Sequence, residues 1–181
     1  MSDAYSKKKN PDAVRRSILV AVETLATTQG PASITMQAVA NAAGVTKGGV
    51  THHFASKQAL IEAMLTDVLC RIDVAIDQAI DNEGQRGCFT RAYVRVLLLD
   101  ERFGANSTFD AISLMSLFEP GLGEPWFKWL DARMQRHAKT DDDPMLEIVR
   151  LAADGAWLAY LGKSQDEHLK EIGERLMVMS R

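Results

Sequence analysis

The chain has 181 residues, 46% hydrophobic and 25% charged, with a formal net charge of -3; this is the composition of a folded globular protein and excludes disorder as the default state. No window approaches the roughly 18 to 20 consecutive apolar residues that cross a bilayer, and the basic N-terminus MSDAYSKKKNPDAVRRS lacks the apolar stretch of a secretion signal, so a cytoplasmic protein with no membrane partner is expected. Charge is unevenly placed: residues 1–57 carry seven Lys/Arg against three acids and the remainder 14 against 21, a basic head on an acidic body, suited to docking one end on a polyanion.

Apolar residues recur at three and four, with no clean alternation, so the fold class expected is all-α with about nine helices. Asn10-Pro11 starts the first, with Asn as N-cap and Pro in the first turn, and Gly30-Pro31 stops it. Thr35 caps a short second helix through Ala42, Gly44 supplies a tight turn, Thr46 caps a third helix, and Ser56 caps a long fourth reaching about Asp81. Further helices are expected over 87–103, 107–117, 125–138, from Asp143-Pro144 to Leu161, and over 166–179, with a Gly/Pro loop at 119–125. The organisation expected is a three-helix DNA-binding domain over 1–57 and a ligand-sensing and dimerisation domain over 58–181.

Within TMQAVANAAGVTKGGVTHHFASKQAL (residues 35–60) stand Ala40, Gly44 and Val50. A helix-turn-helix needs a small residue where its helices touch, a residue tolerant of positive φ at the turn, and an apolar residue facing inward on the second helix. The second helix then presents Thr46, Lys47, Gly48, Gly49, Thr51 and His52 to a DNA groove. Two glycines inside a helix cost about 1 kcal/mol each relative to Ala; close approach to DNA, or an irregular helix, would account for them. Lys57 and Thr35 with Gln37 stand at helix N-termini suited to phosphate. Lys47 and Gln37 are candidates for base or phosphate contacts. Lys7, Lys8, Lys9, Arg15 and Arg16 read as a flexible DNA-contacting arm or as a solvated tail.

This block resembles the TetR/AcrR family of bacterial transcriptional repressors, through Thr35, Val39, Ala40, Ala43, Gly44, Val45, Thr46, Gly48, Val50, His53, Phe54, Ser56, Lys57 and Leu60. The resemblance implies a repressor released by a small lipophilic or aromatic effector and controlling an efflux or catabolic gene, and makes His53 a phosphate-facing or packing residue. Thr51 stands where the family usually has tyrosine; its hydroxyl can donate one hydrogen bond to a phosphate, but the ring packing is lost. An activator and a helical interaction protein without DNA binding are the alternatives.

Two-fold operators are bound by two-fold dimers, so a homodimer on palindromic double-stranded DNA is expected. The stripes Leu146, Val149, Ala153, Ala156, Tyr160 and Leu169, Ile172, Leu176 are candidates for its interface, or for the protomer's own core. Phe103, Phe109, Met115, Phe118, Trp126, Trp129, Met134 and Trp157 are candidates for an effector pocket, or for core. Cys70 and Cys88 form no CxxC and are expected to be buried thiols; adjacent His52 and His53 point about 100° apart on a helix, so no metal is expected, and no cofactor. The motifs GxSxG, HExxH, GxGxxG and the P-loop are absent, which argues against an enzyme.

Overall fold

The computed structural model describes residues 10–103, 123–161 and 167–181. Nine α-helices and no strand occur among the described residues: α1 (Pro11–Gln29), α2 (Met36–Ala43), α3 (Lys47–His53), α4 (Lys57–Ala79), α5 (Cys88–Val94), α6 (Glu124–Arg136), α7 (Ala138–Asp141), α8 (Pro144–Ala159) and α9 (Glu167–Met179). Two compact units meet between Met64 and Leu65. The helix expected over 107–117 and most of the 119–125 loop lie outside the described residues.

The first unit is built on local signals. Asn10 accepts a hydrogen bond from the Asp12 amide at 3.0 Å, and α1 ends at Gly30, whose φ is +80°. Thr35, Thr46 and Ser56 accept from Ala38, Gly49 and Ala59 at 3.1, 3.0 and 3.1 Å, so α2, α3 and α4 each start on a side-chain cap. Gly44, at φ +64°, reverses the chain between α2 and α3. Ile18, Val22, Val39, Ala40, Val50 and Leu60 are fully buried.

In the second unit α5 packs on α7, α8 and α9, which is why it is apolar on nearly every side. One helix was expected over 87–103; instead α5 gives way to a π-turn at Arg95–Leu99 and a 3-10 turn at Glu101–Phe103. The wider turn places Val96, Leu97 and Leu98 all inside, and Asp100 ends it by accepting the Arg102 amide at 3.0 Å. Asp143 caps α8 through the amides of Met145 and Leu146.

Leu146, Val149, Ala153 and Leu176, candidates for a dimer face or for the protomer's own core, are buried in the unit's core; the large apolar residues that α8 exposes are Met145, Ile148, Leu151 and Leu158. Both cysteines were expected to be buried. Cys88 is buried but Cys70 is exposed, beside the Asp67–Arg71 ion pair that marks the polar flank of α4.

Gly87, at φ +71°, opens α5, and a methyl there would collide with the Ser180 carbonyl oxygen. Gly87→Ala is expected to destabilise the protein by about 1–3 kcal/mol from backbone strain alone, read as a lower denaturant midpoint.

Candidate nucleic-acid interface and effector cavity

α3 buries Val50 and, at its end, Phe54, and turns Thr46, Lys47, Gly48, Thr51 and His52 outward, with Gly49 and His53 half-buried. The helix is regular, so irregularity does not explain its glycines. Gly49 lies against its own cap, since a methyl there would be 3.3 Å from Thr46 Oγ1; at Gly48 the nearest atom would be 3.9 Å away. Nothing inside the protein therefore demands glycine at 48. Thr51 donates to the Lys47 carbonyl at 3.0 Å, so its hydroxyl proton is engaged within α3. Gln37 donates to Asn41 at 2.9 Å, which orients both on the outer face of α2. Thr35 is exposed and Lys57 half-buried, each at the start of its helix.

Arg15 and Arg16 belong to α1, not to a flexible arm. The Arg15 guanidinium lies over the Phe54 ring, 5.2 Å from its centroid, a cation–π contact that holds it on the folded surface. Lys7, Lys8 and Lys9 lie outside the described residues.

In the second unit, Phe103 and Trp126 face Ile72, Ile76, Tyr93, Val96 and Leu97 around a space of about 10 Å³. That is near the smallest space a water needs and far below the roughly 300 Å³ of a small-molecule site. Trp129 stacks beside Trp126 and Tyr93 with centroids 5.1 and 6.4 Å away. Met134 and Trp157 are half-buried and do not line this space, and Phe109, Met115 and Phe118 lie outside the described residues.

The walls are fastened by charge. Trp129 Nε1 donates to Asp73 at 2.6 Å, and Arg133, its side chain only 5% exposed, donates to Asp73 and Asp77, each at 2.6 Å. Burial works to raise the Asp77 carboxyl, but Arg133 and Arg136 outweigh it and hold it below the usual range. Tyr93 donates a short hydrogen bond to Asp154. Burial pushes the Asp154 carboxyl up to about 6, against the pull of Tyr93 and Arg150, and burial with Asp154 raises the Tyr93 hydroxyl well above its ordinary value.

Residues 18–64 match the model for bacterial regulatory proteins of the tetR family, and residues 87–181 match the tetracyclin repressor-like C-terminal domain. The chain belongs to the TetR family. No curated protein matches it. Among solved structures, a TetR transcription regulator from Haloarcula marismortui is 15% identical, with a TM-score of 0.74 over 93% of this chain and 97% of that one. A transcriptional regulator from Rhodococcus sp. Rha1 is 20% identical, with a TM-score of 0.68 over 92% and 95%. The multidrug binding protein EbrR, in complex with malachite green, is 20% identical, with a TM-score of 0.70 over 92% and 98%.

TetR-family regulators are transcription factors rather than enzymes; they bind DNA and small-molecule effectors and act as dimers. No described helix is long and apolar enough to cross a membrane. In this TetR-family chain the DNA-facing candidates come together because they lie within one short stretch. Tyr93, which lines the cavity, and Asp73, Arg133 and Asp154, which fasten its surroundings, were missed from sequence. Their partners are 56 to 61 positions away, and the one available signal was the i,i+4 spacing of Asp73 and Asp77 on α4.

Proposed function

We propose that this TetR-family regulator is a cytoplasmic homodimeric repressor that grips a palindromic operator with α2 and α3 and releases it on binding a small lipophilic or aromatic effector. The proposed division of labour is a DNA-binding head over 1–57 and a sensing and dimerising body over 58–181. The observation that carries the reading is α3 itself, a regular capped helix whose outer face offers Lys47 and a glycine that its own packing does not require. Backbone at Gly48 is then free to approach a groove floor, while Thr35, Thr46, Lys57 and the helix N-termini hold phosphate. His52 lies at the C-terminal end of the same face, and half-buried His53 is turned away from it. Lys47 and Gln37 are the proposed base readers.

The proposed dimer face is Met145, Ile148, Leu151 and Leu158 of α8 with Val178 and Met179 of α9, each at least 47% exposed. Exposed Ala152 and Gly155 lie between them and permit close approach. Half-buried Ala156, Tyr160, Leu169 and Ile172 flank it. Ile148→Glu is expected to convert dimer to monomer in analytical ultracentrifugation without loss of helical signal.

Tyr93, Trp126 and Trp129 support an aromatic effector, as does the likeness to EbrR, whose structures hold malachite green and ethidium. Such a molecule must open the space it enters, displacing Ile72 and Ile76 on α4; a shift of that helix carried to its start at Lys57 would move the head. An efflux or catabolic gene is the proposed target. The test is selection of bound sequences from a random duplex pool, then screening aromatic compounds for release. Two half-sites one helical turn apart, about 34–36 Å or a multiple, are expected; failure to enrich any sequence rejects the reading.

A further inference from the structure

His137 and Asp141 stand four positions apart around α7, and the fold brings Cys88, at the start of α5 and 49 and 53 positions away, against both. All three are buried, and one ligand-type atom from each lies within 4.8 Å of the other two. Cys88 Sγ stands 3.9 Å from His137 Nδ1 and 3.7 Å from Asp141 Oδ2. We propose that these side chains form a binding site for one divalent transition ion of the zinc class. The proposal does not rest on the DNA-binding reading.

The Cys88 thiol donates to the Glu83 carbonyl at 3.3 Å and lies 3.4 Å from Thr140 Oγ1; a thiolate bound to an ion gives up the first of these and can still accept from the second. With metal–sulfur near 2.3 Å and metal–nitrogen or –oxygen near 2.0–2.1 Å, tetrahedral geometry separates sulfur from its neighbours by about 3.5 Å, within a few tenths of an ångström of both distances to Cys88 Sγ; the nitrogen and oxygen, within 4.8 Å of each other, would close to about 3.3 Å on an ion. The imidazole is poorly used without an ion. Its Nδ1 has only the long contact to sulfur; Nε2, buried with no hydrogen-bond partner among the described residues, is on the other side of the ring and is not satisfied by an ion at Nδ1. Stacking on Phe89, with ring centroids 5.3 Å apart, fixes the ring plane.

Asp141 divides its oxygens. Oδ1 accepts from the Thr90 amide and hydroxyl at 2.8 and 2.7 Å and so caps α5. Oδ2 accepts from the Thr140 hydroxyl at 2.8 Å and, weakly, from the Phe89 amide at 3.3 Å, and it faces the sulfur. An ion at Oδ2 leaves the Oδ1 cap in place. One sulfur, one nitrogen and one oxygen ligand disfavour magnesium and calcium and suit zinc or cobalt. Coordination by sulfur requires the thiolate, so binding releases the Cys88 thiol proton to solvent. A bound ion would tie α5, which carries Tyr93, to the end of α6, which carries Trp126 and Trp129, and so brace two walls of the aromatic cavity.

The test uses the full chain with Cys70→Ser, leaving Cys88 as its one thiol, stripped by a chelator and titrated with cobalt and then zinc. Expected are a thiolate-to-cobalt charge-transfer band saturating at one equivalent, its displacement by zinc, a zinc-dependent rise in Tm, and protection of Cys88 from alkylation. His137→Gln should weaken cobalt binding at least about tenfold, and Cys88→Ser should abolish the band. Asp141 is left unmutated because it caps α5. If His137→Gln does not fold, the alkylation and melting measurements on the Cys70→Ser chain decide alone. Absence of the band, an unchanged Tm with zinc, or a folded His137→Gln chain that binds cobalt undiminished overturns the proposal.

Discussion

Replacing Gly48 with glutamate is expected to abolish operator binding while the head remains folded. The added side chain enters open space, with Thr46 Oγ1 as its nearest neighbour, 3.9 Å from the new Cβ. Glycine inside a helix costs about 1 kcal/mol relative to Ala, and an acidic residue in the first turn interacts favourably with the helix dipole, so the melting temperature should hold or rise. On DNA the same change fills the space through which the backbone approaches and sets a carboxylate against phosphates. A loss of about 1–3 kcal/mol, about fivefold to 150-fold in affinity, is the minimum for one failed groove contact. Gly48→Ala should show the smaller version, raised stability with weakened binding. A variant that melts at or above the wild-type temperature and still binds DNA normally would remove Gly48 from the interface. Gly49 is a less clean probe, because its methyl would press on the Thr46 cap at 3.3 Å.

Asp154→Asn is expected to stabilise the protein at neutral pH and flatten its stability profile in mildly acid solution. Burial raises the folded-state Asp154 carboxyl from an ordinary 3.8 to about 6, so between those values the folded chain holds a proton that the unfolded chain has released. That contribution is fully present below about pH 4 and is lost as pH rises through about 6. A rise of about two units corresponds to about 3 kcal/mol as an order of magnitude. Asparagine still accepts from the Tyr93 hydroxyl but carries no charge, although it gives up the attraction to Arg150. Chemical denaturation across pH 4 to 7 checks this: the wild-type profile should fall with pH over the window, and the variant's should fall less. Equal slopes would show that Asp154 does not titrate there.

The first unit was legible in the sequence because its determinants are local. Asn10, Thr35, Thr46 and Ser56 cap helices within three residues of themselves, and Gly44 takes the positive φ that its place between two short helices requires. The second unit depends on pairings across long separations. α8 carries two adjacent apolar stripes, Leu146-Val149-Ala153 and Met145-Ile148-Leu151, and helical period alone does not say which one the chain keeps for itself. The run Arg95–Leu99 has no period to read, so its π-turn was invisible. Cys88 meets His137 and Asp141 across 49 and 53 positions, a juxtaposition that spacing motifs are not built to detect. Exposure of Cys70 was foreseeable, since Asp67 and Arg71 flank it on the same helix.

Binding of duplex DNA by residues 35–57, as proposed, is tested most directly by the affinity of the full chain for its selected duplex, measured over a range of salt for wild type, Lys57→Ala and Lys47→Ala. A log-linear fall of affinity with salt, a slope shallower by about one for Lys57→Ala on every sequence, and an altered sequence preference for Lys47→Ala are expected. Salt dependence and affinity identical in all three proteins would contradict it.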